Sequence, residues 1–226
     1  MTGEARDLLV RGAAQLGVQL SLIQVTQFCS LADELKKWGK KVNLTAITRD
    51  ADIAVKHFVD SLTLLNVVRT GGQLLDLGSG GGFPSIPLKI VSPELQVVSV
   101  DAVEKKVLFQ RHAARLLHLS GFEAIHARGE ALASTHAGVF DWVVSRAFSD
   151  IPAFVNIALP LIKQSGFIVA MKGKGGKEEV AAAGEPLAAM GARVTDLLEF
   201  RLPILGDARS IIIVQRAKPL KNVLPG

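Results

Sequence analysis

The 226-residue sequence has one cysteine, Cys29, no tyrosine and only 5% aromatic residues. A single thiol excludes an intrachain disulfide framework, a cysteine zinc site, a CxxC redox pair and a cysteine-ligated iron–sulfur cluster. A reducing cytoplasm is therefore the expected compartment. Scarce aromatics argue against a broad base-stacking platform such as an RRM or OB surface. No stretch approaches about 18 consecutive uncharged apolar residues, and the opening MTGEARDLL carries acids without a long apolar core. Neither a membrane span nor a secretory leader is expected. The five histidines form no HExxH and no tight acid–histidine cluster, so no metal is expected. Internal repeats and low-complexity runs are also missing, which sets solenoids and propellers aside.

Apolar residues make up 49% of the chain, enough for one large core, and the formal charge is +5. That excess sits at the ends. Residues 201–226 hold five bases against one acid, whereas residues 71–170 hold eight of each. A basic excess favours a polyanionic partner, although charge alone does not name one.

Helical spacing of Leu, Val, Ile and Phe covers 3–17, 21–38 and a third segment from about Asp50 to Asn66, with Ser21 as an N-cap and Gly39 as a stop. Thr70-Gly71-Gly72 then marks a boundary. Beyond it, short β-branched runs at 73–77, 96–101, 122–126, 140–145, 166–172, 193–202 and 209–216 alternate with helical patterns at 85–91, 104–119, 150–162 and 176–190. The expected fold is α/β, a doubly wound, mostly parallel seven-stranded sheet with an N-terminal helical region. Residues 1–70 form a helical cap packed on the sheet domain of 71–226. The last two runs have no helix between them, so a hairpin should bring one antiparallel strand into the sheet.

The first strand runs into Asp76-Leu77-Gly78-Ser79-Gly80-Gly81-Gly82-Phe83-Pro84. A glycine turn at this edge of a doubly wound sheet is the expected ligand crevice, bringing backbone N–H groups close to a ligand. A dinucleotide fingerprint starting at Gly78 requires a small residue where Phe83 stands, and no GxxxxGK[ST] occurs anywhere in the chain. Asp101 closes the second strand, where a carboxylate accepts both hydroxyls of an unphosphorylated ribose. An acid before the loop, a glycine run without pyrophosphate spacing and a ribose acid fit a cationic nucleoside without phosphate, such as S-adenosylmethionine. The plainer reading is a tight strand-to-helix turn with a solvated strand-end Asp.

Several segments together resemble the RsmG (GidB) small-subunit ribosomal RNA methyltransferases over most of the chain. Trp38 with Asn43-Leu44-Thr45-Ala46-Ile47, His57-Phe58-Val59-Asp60-Ser61-Leu62, the loop Asp76–Pro87, Asp101, Ser145-Arg146-Ala147-Phe148 and Lys172-Gly173 are similar to that family's motifs. Ser85 replaces the family's usual glycine after Phe-Pro. The resemblance implies a Rossmann-like class I methyltransferase fold, with methyl transfer from S-adenosylmethionine to guanine N7 of 16S ribosomal RNA, free or in the small ribosomal subunit. It implies cofactor binding by Asp76, Gly78, Gly80, Phe83, Asp101, Gly129, Glu130 and Arg146. The expected enzyme is cytoplasmic and monomeric, with no membrane partner. A small-molecule or protein acceptor, or a non-catalytic ribosome assembly factor with this fold, remain alternatives.

Guanine N7 offers a lone pair in the major groove and attacks a sulfonium methyl without losing a proton, so no general base is needed. Arg146 is accordingly the catalytic candidate, holding the target base or a flanking phosphate. Its other reading is an ion pair with Asp101, Glu130 or Asp150. Glu130 equally suits the start of a helix, and His57 and Asp60, three apart, equally suit a pair on one helix. The basic segments around Lys36, Lys40 and Lys41 and around Lys172 and Lys174 are the RNA-binding candidates, or else solvated faces. Phosphate-led binding should be salt-sensitive.

Overall fold

A computed structural model describes residues 1–68, 71–146, 148 and 150–217. Thr70 of the expected boundary, Ala147 of the Ser-Arg-Ala-Phe segment and the basic residues after 217 lie outside the described residues. Seven strands form one sheet: β1 (Gln73–Leu77), β2 (Gln96–Asp101), β3 (Phe122–His126), β4 (Phe140–Ser145), β5 (Ile162–Lys172), β6 (Ala192–Arg201) and β7 (Ala208–Arg216), in the order β3-β2-β1-β4-β5-β7-β6. β1 to β5 run parallel, and β7 is antiparallel to both β5 and β6. The hairpin at 202–207 therefore folds its second strand inward. Leu202 N donates to Asp207 O at 2.8 Å and Gly206 N to Leu202 O at 2.9 Å to close it.

Period-two alternation shows why the sheet needs helices on both faces. In Ile211-Ile212-Ile213-Val214, the odd-numbered residues join one apolar cluster with Leu74, Val97 and Leu88, while Ile212 and Val214 join another with Leu75, Phe154 and Leu187. Helices α7 (Ile151–Ala158) and α8 (Gly176–Ala189) supply the second cluster.

Helices α1 (Gly3–Gln15) and α2 (Leu22–Gly39) contribute Leu9, Phe28, Leu31 and Leu35 to a third cluster. The same cluster contains Phe83 from the loop before α5 (Ser85–Val91), Ile86 from its first turn and Phe109 from α6 (Glu104–Leu116). At the N-terminus of α2, Ser21 and Gln24 form a reciprocal capping box. At its other end Trp38 packs edge-on against Phe109, with ring centroids 5.7 Å apart.

Several ends shift by one to three residues, and two expected elements change more. The helix expected over 150–162 stops at Ala158: Leu159 still has helical φ and ψ, but Pro160 has no N–H to continue the ladder, and β5 then begins four residues early, at Ile162. The third N-terminal helix is not a plain α-helix. It runs as α3 (Asp50–Asp52), a π-helix (Ile53–Val59), α4 (Asp60–Leu62) and a 3-10 turn (Thr63–Asn66). The apolar spacing is similar in all four, so the sequence pattern does not reveal the widened turn.

Candidate active site

The glycine loop connects the ends of β1 and α5. Gly78, Gly80 and Gly82 adopt φ of 72°, 59° and 81°, a left-handed backbone that explains their residue type. The expected crown of free N–H groups is not what the loop presents. Gly78 and Ser79 donate to Val100 O, Gly80 to Asp101 Oδ2 at 2.9 Å, and Gly82 and Phe83 to Ser79 O. Gln110, fully buried, donates from below to Ser79 Oγ and Gly80 O, both at 2.8 Å. With only the Gly81 amide left without an acceptor among residues 78–83, the loop is poorly suited to cradle a phosphate, whereas nothing stands within 4 Å of a Cβ built on Gly80. That open surface beside the Asp101 carboxylate suits an unphosphorylated nucleoside.

Asp101 ends β2 with Oδ1 accepting from Val103 N at 2.8 Å, so both of its oxygens are oriented before any ligand arrives. Asp76 lies beneath the loop with no exposed surface. Its Oδ2 accepts from Ser85 N at 3.1 Å, its Oδ1 has no partner, and burial pushes the carboxyl up to about 7 against the opposing hydrogen bonds from Ser85. Ser85, the departure from the family pattern, meets Ser99 hydroxyl to hydroxyl at 3.1 Å. Gly129 opens a 3-10 turn (Gly129–Ser134) rather than an α-helix, and a Cβ there meets Ile157 Cγ2 at 2.9 Å. Glu130 follows it, exposed, in the first turn.

Arg146 does not pair with Asp101, Glu130 or Asp150; Asp150 instead caps α7 through Ala153 N. Its partners come from the N-terminal helical region. Arg146 Nη1 donates to the Lys56 carbonyl at 3.3 Å and to Asp60 Oδ2 at 3.5 Å, and Nη2 donates to His57 Nδ1 at 3.3 Å. The guanidinium lies over Phe83, 5.6 Å from the ring centroid. His57 and Asp60 thus converge on one arginine instead of pairing with each other.

Because a guanidinium only donates, His57 Nδ1 is the acceptor and Nε2 carries the proton, which it gives to Thr45 Oγ1 at 2.8 Å. Burial first, and then the charge of Arg146, lower the imidazole pKa to about 3, so the ring is neutral. Arg209 from β7 donates Nε to Asp60 Oδ1 at 2.8 Å. Sequence reasoning missed Thr45 as the partner of His57, as well as Gln110 and Arg209. Arg209 reaches Asp60 across 149 residues through the antiparallel placement of β7, which no local pattern encodes.

The lysine candidates divide. Lys36 is engaged by Asp50 at 2.6 Å and Asp33 at 3.1 Å. Lys172 is mostly buried, donating to Phe148 O at 2.9 Å and pairing with Glu179 at 2.6 Å. Lys40, Lys41 and Lys174 are exposed and make no ion pair among the described residues. No group of three or more His, Cys, Asp or Glu suited to a metal occurs among the described residues, and no helix there is long and apolar enough to cross a membrane.

A mostly parallel seven-stranded sheet, a phosphate-free glycine loop and a strand-end acid define the Rossmann-like, S-adenosylmethionine-dependent methyltransferases. Solved structures agree at the level of fold: M. jannaschii TYW2 in complex with AdoMet superposes with a TM-score of 0.56 at 14% identity, over 70% of this chain and 74% of that one. Within that class, a family model described as rRNA small subunit methyltransferase G matches residues 24–205. Ribosomal RNA small subunit methyltransferase G of Geotalea uraniireducens (strain Rf4) is 60% identical over 96% of this chain and 99% of its own length. The protein of the same name from Desulfitobacterium hafniense (strain Y51) is 40% identical over 100% and 98%. The chain belongs to this family.

Proposed function

We propose that this methyltransferase acts on 16S ribosomal RNA of the small ribosomal subunit and transfers the methyl group to N7 of a guanine, as a cytoplasmic enzyme. The observation that carries the atom assignment is that no side chain at Arg146 among the described residues is a free base: both oxygens of Asp60 are taken, by Arg146 and Arg209. The nearest imidazole, His57, is neutral but has Nδ1 occupied by Arg146 and Nε2–H directed to Thr45. A site without a free base suits an acceptor with an available lone pair and no proton to lose, which is N7 rather than an exocyclic amine.

The residues present fit S-adenosylmethionine. The open face over Gly80 and the oriented carboxylate of Asp101 form a surface for a cationic nucleoside, with the buried, partly unpartnered carboxyl of Asp76 beneath it. When bound, this cofactor supplies a methyl group made electrophilic by a sulfonium. Asp101 would hold the ribose, Gly78, Gly80 and Phe83 would line the pocket, and Gly129 and Glu130 would meet the adenine. Asp76 would act from beneath, fixing the loop through Ser85. Arg146, held by Asp60, His57 and the Lys56 carbonyl, would position the acceptor; catalysis then rests on alignment rather than proton transfer. Exposed Lys40, Lys41 and Lys174 would meet RNA phosphates.

Methyl transfer from labelled S-adenosylmethionine into small-subunit particles lacking the modification, followed by nucleoside analysis, tests this reading. Label in 7-methylguanosine is expected. Label in another nucleoside overturns the N7 assignment, and label in protein overturns the RNA acceptor.

A further inference from the structure

A cavity of about 340 Å³ opens between the π-helix and the ends of β5 and β7, and none of its lining residues belongs to the glycine loop. It shares one wall with that loop, because His57 and Arg146 both pack on Phe83. Four cations line it: Lys56, Arg146, Lys172 and Arg209. Among the described residues, Asp60 is the only acid in the lining. Asp52, Glu179 and, at 3.8 Å, Asp207 pair with Lys56, Lys172 and Arg209 from outside the lining, while Asp60 bridges Arg146 and Arg209 within it, so the lining itself is cationic. Beside it stand apolar side chains, chiefly Met171, Phe200 and Ile211. The volume falls in the range of small-ligand sites, about 300–1,000 Å³.

We infer that this cavity receives one nucleotide unit of the RNA, taken out of its stack, with its phosphate at the Arg146–Asp60–Arg209 bridge and Lys56, and its base against Phe200 and Met171. A cationic rim joined to an apolar wall matches the two halves of a nucleotide, and it does not match the loop's own phosphate-free ligand. Asp60 is then a positioning residue: it keeps two guanidiniums side by side, ready for an anion neither would hold as well alone. The inference rests on the RNA acceptor proposed above, and it adds Lys56, Phe200 and Arg209 to the site.

Binding of guanosine 5′-monophosphate and of guanosine to the full chain, saturated with S-adenosylhomocysteine, tests it by NMR titration to millimolar concentration. The monophosphate should bind at least tenfold more tightly than guanosine and shift resonances of Arg209 and Phe200. Arg209→Gln and Lys56→Met should each weaken it about fivefold or more, with S-adenosylhomocysteine affinity unchanged within twofold. Lys56 is part-exposed and on a helix surface, so its variant serves as the control for folding if loss of Arg209 disturbs Asp60. In turnover, both variants should raise KM for particles more than they lower kcat. No binding, equal affinity for the two probes, or variants that leave the monophosphate Kd unchanged would overturn the inference. If the wild-type enzyme still labels particle RNA in those cases, the RNA reading stands without this cavity; if it labels none, that reading is what has failed.

Discussion

The imidazole of His57 lies flat on the ring of Phe83, centroids 4.4 Å apart and planes inclined by 8°. Phe83 belongs to the glycine loop and His57 to the π-helix, so the stack joins the N-terminal helical region to the cofactor side of the sheet. The same ring receives Arg146 on Nδ1, and its tautomer is set by Thr45. His57 is thereby a positioning residue: its Nδ1 accepts from, and so orients, the Arg146 guanidinium.

His57→Ala should lower kcat/KM for particles about 10- to 100-fold while changing S-adenosylhomocysteine affinity by less, since the interaction lost is with Arg146. Thr45→Val leaves the buried Nε2–H unpaired and should cost about 1–3 kcal/mol of stability. The two effects are separated by steady-state kinetics and thermal unfolding. If Thr45→Val raises stability, the tautomer assigned here is wrong.

Stability should respond to pH in opposite senses at His57 and Asp76. The folded pKa of His57 lies near 3, below its usual 6.5, so the unfolded chain binds the extra proton and stability falls as pH drops below about 6.5. The folded pKa of Asp76 lies near 7, above its usual 3.8, so its contribution is present at low pH and is lost as pH rises through about 4 to 7. Each costs at most about 1.4 kcal/mol per pH unit within its window. His57→Gln should therefore flatten the loss between pH 7 and 5, and Asp76→Asn should raise Tm at pH 8 by about several degrees. Thermal scans across pH 5–8 check both, and identical profiles for all three proteins would refute the assignment.

Asp101, proposed above to hold the ribose, also acts on the loop, because its two oxygens accept from Gly80 N and Val103 N. Asp101→Ala should reduce S-adenosylhomocysteine affinity at least about tenfold, and Asp101→Asn should recover part of it, since one amide oxygen still accepts. Calorimetric titration measures the difference. Equal affinity of wild type and Asp101→Ala would remove this residue from the cofactor site.

Gly129 faces Leu77 and Ile157, so its residue type reflects packing under the proposed adenine site. Gly129→Ala should displace Ile157 and cost about 1–3 kcal/mol, with weaker cofactor binding as a consequence. Ile157→Ala in the same chain should restore much of the lost affinity by making room for the new methyl group. Failure of the double variant to do better than Gly129→Ala would instead indicate direct contact of Gly129 with the ligand.

Much of the fold was legible because it is written locally. Strands β1 to β4 begin and end where the β-branched runs do, and the breaks fall at Gly and Pro, whose backbone preferences need no neighbours. The glycine loop and Asp101 were visible as a pattern for the same reason, together with the exclusion of a dinucleotide by Phe83. What the loop does with its amides was not visible, since their acceptors are Val100, Asp101 and Ser79, brought close only when β1 and β2 pair.

The sequence by itself determined the strand–helix alternation, the glycine loop and the acid that closes the second strand, and through its motifs the family. Tertiary structure alone decided the partners of Arg146 and the cavity they line. Those partners are His57 and the Lys56 carbonyl from the π-helix and Asp60 from α4 just after it, with Arg209 beyond them on an inserted antiparallel strand. The physical reason is distance along the chain: 86 residues separate Asp60 from Arg146 and 149 separate it from Arg209, and only the folded sheet closes those loops.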